Sequence, residues 1–174
     1  MILICYDGSA DAQAAVDLAA RTMPGAEATV ITIWETFLDA MMRSNAMGAG
    51  WGLAMGVDDD AKIDQASEQA ALGCAREGAE RARGAGLRAQ PSIATRRGGI
   101  ADTILLEGAE LDADLIVVGT RGRSDVKSFL LGSVSHHLVQ HADRAVVVVP
   151  APELAEQRQL HRTQRAGSAP GPGA

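Results

Sequence analysis

The chain has 174 residues and a net charge of −6, long enough for one domain with a substantial core. Its acidic balance argues against non-specific binding to nucleic acid or anionic membranes, which requires a basic surface. Apolar residues make up 47% but aromatics only 3%, so the core must be aliphatic, as when small helices pack on Val- and Ile-rich strands.

No run of about 18 apolar residues is present, so no membrane span is expected. Met1 leads straight into the strand-like ILICY without a charged-then-apolar leader, and a cytoplasmic location is expected. Cys5 and Cys74 are too few for a disulfide framework and lack metal-ligand spacing, so both read as small buried or half-buried residues.

In chain order, Met1 to Tyr6 reads as a buried strand. Asp7-Gly8-Ser9 then turns into a helix, with Asp7 or Ser9 as its cap, and Ala12, Ala15, Val16, Ala19 and Ala20 recur at helical spacing until Pro24-Gly25. Asp7 stands at the carboxyl end of a strand, where ligands gather in open parallel sheets, but a purely capping carboxylate fits equally well. Thr29 to Trp34 reads as a second strand.

Residues 36–60 look irregular, with Met41, Met42, Met47, Met55 and four glycines, and read as a mobile insertion or an apolar contact surface. From Asp60 to Arg83 an alanine-rich pattern predicts an amphipathic crossover helix whose apolar positions include Ile63, Ala66, Ala70, Cys74 and Ala82, stopped by Gly84 and Gly86. Arg88 to Thr95 is a third strand with Pro91 near its start or at an edge. Arg96-Arg97-Gly98-Gly99 is then a basic turn, exposed or facing phosphate, before a helix with Ile100, Ile104, Leu105 and Ala109 on its buried stripe.

The most informative stretch runs from Asp114 to Val149. Leu115 to Val118 is a short apolar strand stopped by Gly119, and the glycines that follow give G-x2-G-x9-G-S through Gly119, Gly122, Gly132 and Ser133. Ser133 is expected to cap a helix with Val134, Leu138 and Val139 on its apolar stripe. Glycines let the backbone approach a ligand closely, and a helix N-terminus offers unpaired N–H groups and partial positive charge. A serine hydroxyl adds a donor, so the combination suits phosphate. Any one of these glycines alone would read as a turn. His137 and His141 share a helix face, but no third ligand or intervening glutamate makes them a metal site. Ala145 to Val149 is the last strand, and residues 151–174 form a tail expected to be disordered, with transient helix possible over 154–165.

The glycine pattern, the flanking VVGTRGRS, LLGSV and VVVVP, and the opening MILICYDGS resemble the ATP-binding members of the universal stress protein family over residues 1–150. The resemblance implies an α/β fold: a five-stranded parallel sheet, doubly wound into three α/β/α layers, Rossmann-like and similar to the adenine nucleotide alpha hydrolases, with the first and fourth strands adjacent. It implies that Asp7 lines the adenosine end of a nucleotide site and that the backbone near Ile33 meets adenine. Gly119, Thr120, Arg121, Gly122, Arg123, Ser124, Gly132, Ser133 and Val134 would hold phosphate. Arg121, Arg123 and Lys127 are candidate cations beside it or solvated loop residues.

The cofactor implied is ATP, AMP or another adenine nucleotide, with Mg2+ accompanying a triphosphate. The partner implied is a second copy of the chain, paired through the edge strand Ala145–Val149, whose exposed VVVV would need cover. The leading expectation is a nucleotide-dependent regulatory module of the stress response. The alternatives are a slow ATP hydrolase, for which no convincing general base stands out, and a dimeric interaction module that binds no nucleotide.

Overall fold

The structure, a computed structural model, describes residues 1–44, 57–122, 131–153, 155–156 and 159–160. Its elements are β1 (Ile2–Cys5), α1 (Ala10–Thr22), β2 (Glu27–Trp34), α2 (Phe37–Arg43), α3 (Val57–Gly84), β3 (Arg88–Thr95), α4 (Ile100–Glu110), β4 (Leu115–Gly119), α5 (Ser133–His141) and β5 (Ala145–Val149). The strands form one parallel sheet in the order β3-β2-β1-β4-β5. β1 is central, flanked by β2 and β4, so the direction of winding reverses between β1 and β4. In open α/β sheets that point opens a crevice at the carboxyl ends of the strands.

Strand alternation sorts the side chains onto two faces. Ile2, Ile4, Tyr6, Val30 and Val117 pack with α1 and the C-terminal half of α3. Leu3, Ile31, Ile116 and Val118 pack with α4 and α5 through Ile104 and Leu138. Burial of each such large aliphatic side chain contributes about 1.5–3 kcal/mol, so aliphatic contacts supply most of both layers, with the aromatic Tyr6 in the first. β3 is an edge strand, and this is why it tolerates Pro91 opposite Val30.

α1 buries Ala12, Ala15, Val16, Ala19 and Ala20, the stripe expected from spacing. Three helical expectations are corrected. Residues 36–60 are not irregular at their ends: Thr36 caps α2 by accepting the Asp39 N–H, and α3 already begins at Val57. Residues 45–56, with Met47 and Met55, lie outside the described residues. In α3 the buried positions are Ala71, Ala75, Ala79 and Ala82, whereas Ala66 and Ala70 are exposed. Alanine occurs around the whole helix, so its spacing alone could not phase the buried face. In α4 and α5, Ile100, Ala109 and Val139 are exposed rather than core, and Gly108 and Ser135 are buried in their helices. A Cβ at Gly108 would make an ordinary contact, 3.5 Å from Ile116 Cδ1.

Candidate nucleotide site at the β1 and β4 carboxyl ends

Two turns build the crevice. After β1, Asp7 Oδ1 accepts the Ser9 N–H at 3.0 Å and Gly8 takes φ +81°, a left-handed conformation that glycine tolerates. Ser9, not Asp7, is the N-cap of α1, its Oγ accepting from the Ala12 N–H at 3.2 Å. Asp7 is left at the strand end with its second carboxylate oxygen toward Gly122, where a Cβ would approach Oδ2 to 2.8 Å.

After β4 the chain is clasped to its surroundings. The Thr120 N–H donates to Val149 O (2.8 Å), and Thr120 O accepts both the Gly132 N–H (2.8 Å) and the Ser135 hydroxyl (2.8 Å). The Arg121 N–H donates to Asp11 Oδ2 at 3.0 Å. These bonds hold the start of α5 against Thr120 and Arg121. They also correct two expectations. Gly132, with φ −63° and ψ 160°, is the N-cap, and Ser133 is the first helical residue, because the Gly132–Thr120 bond brings the chain into the helix one position early. The Thr120 and Arg121 N–H groups are spent within the protein, so anion-binding donors must come from Gly122 onward and from the first turn of α5, whose N–H groups have no helical acceptor.

The two turns enclose a cavity of about 480 Å³, within the range of small-molecule sites. Its wall includes Asp7, Ile33, Gly119, Arg121, Gly122, Gly132, Ser133 and Val134, which were separated in sequence by up to a hundred residues and more. Thr120 is buried and stands behind this wall. Arg123, Ser124 and Lys127 lie outside the described residues. Its lining combines apolar side chains, Ile31, Ile33, Ile100, Ile104 and Val118, with the glycines and the α5 N-terminus. A larger groove of about 710 Å³ adjoins it, sharing Asp7, Arg121 and Gly122 and lined also by Asp11, Cys74 and Glu77.

Two further wall residues carry perturbed protons. Burial, with the Asp7 carboxylate adding to it, pushes the Cys5 thiol up to about 12. Burial also pushes the Tyr6 phenol up, and its hydroxyl donates to Glu77 Oε1 at 2.7 Å, which favours the neutral form. Neither Cys5 nor Tyr6 was marked as a site residue by sequence, since strand positions next to a crevice look like any core position. Asp11 and Ser135 were missed for a related reason: they act on the loop through tertiary hydrogen bonds and belong to no motif.

The basic turn after β3 does not reach the cavity as a free anion binder. Arg96 pairs with Glu35 and donates to Gly98 O, while Arg97 pairs with Glu107 and Glu110. The His137 and His141 rings lie 4.3 Å apart between centroids, tilted by 44°, and His137 Nε2 lies 2.9 Å from Asp102 Oδ1. Among the described residues no group of three or more ligating side chains converges on a metal position. No helix among them is long and apolar enough to cross a membrane.

Comparison with known proteins agrees with this architecture. The sequence profile of the Universal stress protein family matches residues 1–150. Protein SSP1056 of Staphylococcus saprophyticus, named for that family, is 46% identical over 50 residues, 29% of this chain and 30% of its own. Protein SAUSA300_1656 of Staphylococcus aureus is 46% identical over 57 residues, 32% of this chain and 34% of its own. The alignments thus span 30% and 34% of the length of these curated relatives. Among solved structures, hypothetical protein MJ0577 superposes with a TM-score of 0.66 at 18% identity, covering 86% of this chain and 94% of its own. The universal stress protein of Archaeoglobus fulgidus in complex with dAMP gives 0.54 at 19% identity, over 85% of this chain and 95% of its own. An Arabidopsis thaliana protein of the family with AMP bound gives 0.55 at 15% identity, over 86% of this chain and 90% of its own. At such identities the likeness speaks for the fold. The family profile runs through every strand of the sheet and both turns of the crevice, and the chain belongs to the universal stress protein family.

Proposed function

We propose that this chain is an adenine-nucleotide-binding regulatory protein of the stress response, with residues 1–150 as its nucleotide-binding domain and 151–174 as an appended tail. Occupancy of the crevice would control conformation, dimerisation or partner choice. The observation that carries the reading is the convergence of Asp7, Ile33, Gly122 and the Gly132–Val134 turn on one cavity lined by both isoleucines and the start of a helix. A purine ring suits the isoleucine wall, and phosphate suits the α5 N-terminus. The dAMP and AMP complexes of the Archaeoglobus and Arabidopsis relatives support the ligand class.

The residues present fit ATP. A Cβ at Gly122 would fill the space beside Asp7, so the bare backbone there leaves room for a ligand to approach. When bound, Mg2+ would neutralise part of the phosphate charge, held mainly by phosphate oxygens and water. Asp7 would orient the ribose, the Ile33 backbone the adenine edge, and Arg121 the phosphates, together with Arg123 and Ser124. The proposed assembly is a homodimer through the β5 edge, and the proposed place of action is the cytoplasm. Hydrolysis is not part of the proposal: among the described residues, the carboxylates beside Arg121 and Gly122, Asp11 and Asp7, each accept a backbone N–H.

The test is to release nucleotide by heat from purified protein and identify it, comparing wild type with Gly122→Val. ATP or AMP from the wild type and none from a folded Gly122→Val protein is the expected result. A wild type that co-purifies with none and fails to bind added ATP or AMP would return these glycines to the role of turn makers.

A further inference from the structure

Among the described residues one carboxylate is buried: Asp11, 6% exposed, in the first turn of α1. A buried carboxylate is costly unless its oxygens are well bonded. Asp11 Oδ2 accepts the Arg121 N–H at 3.0 Å. The same residue is the closest neighbour of Gly119, where a Cβ would come within 2.8 Å of the Asp11 carbonyl carbon and Cβ. One residue of α1 therefore touches the first glycine of the loop and bonds the peptide two positions later. Asp11 lines the outer groove and not the cavity that would take the nucleotide.

We propose that Asp11 is the positioning residue of the phosphate loop. Its carboxylate turns the Arg121 peptide toward α1, and that orientation places Gly122, which follows directly, against the cavity. Asp11 acts through the loop and does not touch the nucleotide. The inference rests on the nucleotide reading above. A merely structural acid at a helix N-terminus would instead raise stability through the helix dipole and affect every ligand alike.

The test uses Asp11→Asn, Asp11→Ala and Asp11→Ser in the full chain, with calorimetric titration of Mg·ATP and of adenosine. Amide hydrogen exchange at Arg121 is measured in the unliganded protein. Asparagine keeps an acceptor oxygen in place, so exchange should stay slow and ATP affinity should stay within about threefold. Alanine and serine lose the bond: Arg121 exchange should accelerate and ATP affinity should fall roughly tenfold, with adenosine affinity changed less than about twofold. Serine, a favourable residue in a helix first turn, carries the test if alanine fails to fold. Equal losses for ATP and adenosine overturn the positioning role, as does Arg121 exchange unchanged in the alanine and serine variants. A wild type that binds neither ATP nor adenosine overturns the nucleotide reading itself, and the phosphate role of Asp11 with it. Unchanged Arg121 exchange with normal wild-type ATP binding overturns the Asp11 role alone.

Discussion

The glycines of G-x2-G-x9-G-S do different work, and Gly119→Ala separates them. A Cβ at Gly119 would lie 2.8 Å from the Asp11 carbonyl carbon, 2.8 Å from Asp11 Cβ and 3.0 Å from Ala12 N. Those atoms belong to the backbone and first side-chain carbon of α1, so they cannot swing aside. The φ of Gly119 is not in the left-handed region, so the whole cost is steric. Overpacking costs about 1–3 kcal/mol where side chains can adjust, and contact with a helix backbone puts this variant near the upper end, about 3 kcal/mol. For a chain of this length each kcal/mol lowers Tm by about 2–4 °C, so a fall of about 6–12 °C is expected. At Gly122, among the described residues, the added Cβ meets Asp7 Oδ2 at 2.8 Å, the far end of a side chain that can rotate. Gly122→Ala should stay within about 1 kcal/mol of wild type. Urea denaturation followed by far-UV circular dichroism, without nucleotide, measures both. A Gly119→Ala protein within 1 kcal/mol of wild type, by the same rule, would refute the claim that Gly119 exists for helix–strand packing.

Other outcomes follow from single contacts. Gly78→Ala should destabilise by about 1–3 kcal/mol in urea titration, because its Cβ would lie 2.7 Å from Tyr6 Cγ and 2.8 Å from Val30 Cγ1, both in the core. Gly73→Ala, on the same helix with nothing within 4 Å, should stabilise by up to about 1 kcal/mol, and a destabilised Gly73→Ala would contradict this account of α3. Tyr6 is the only tyrosine, so tyrosinate absorbance reads one group. Its proton is held more tightly in the folded state, so the stability it contributes is complete below the ordinary tyrosine range and is lost as pH rises through and beyond that range. Ionisation at the ordinary value in folded protein would contradict the part-buried Tyr6–Glu77 bond. In a Cys74→Ser protein the remaining thiol, Cys5, should resist alkylation at pH 8 in native buffer, because it is pushed up to about 12. Labelling at the rate of a free thiol would show the cavity wall to be more open than described.

Much of the fold was legible in one dimension because its signals are local. β1 and β4 are short aliphatic runs ended by turn residues, and α1 carries its buried face in an unambiguous alanine and valine spacing. β3 was legible to the residue at both ends, bounded by Gly86 and by the basic turn. The α3 face was not, since alanine at most positions leaves the hydrophobic phase undefined until Tyr6, Val30 and Leu87 select one side. The start of α5 shifted by one residue because its cap is set by the Gly132–Thr120 bond, a contact with the preceding strand that no local pattern contains.

The site divides in the same way. Sequence alone determined the chemistry of the parts: glycines where a backbone must come close, a helix start that offers N–H groups, and an aspartate at a strand end. Each depends only on residue type and near neighbours along the chain. Tertiary structure decided which parts meet and which donors remain. It brought the β1 and β4 ends together at the switch point, spent the Thr120 and Arg121 N–H groups on Val149 and Asp11, and paired Arg96 and Arg97 with glutamates. Such choices arise from hydrogen bonds and steric contacts between residues far apart in the chain, and so only the folded arrangement could make them.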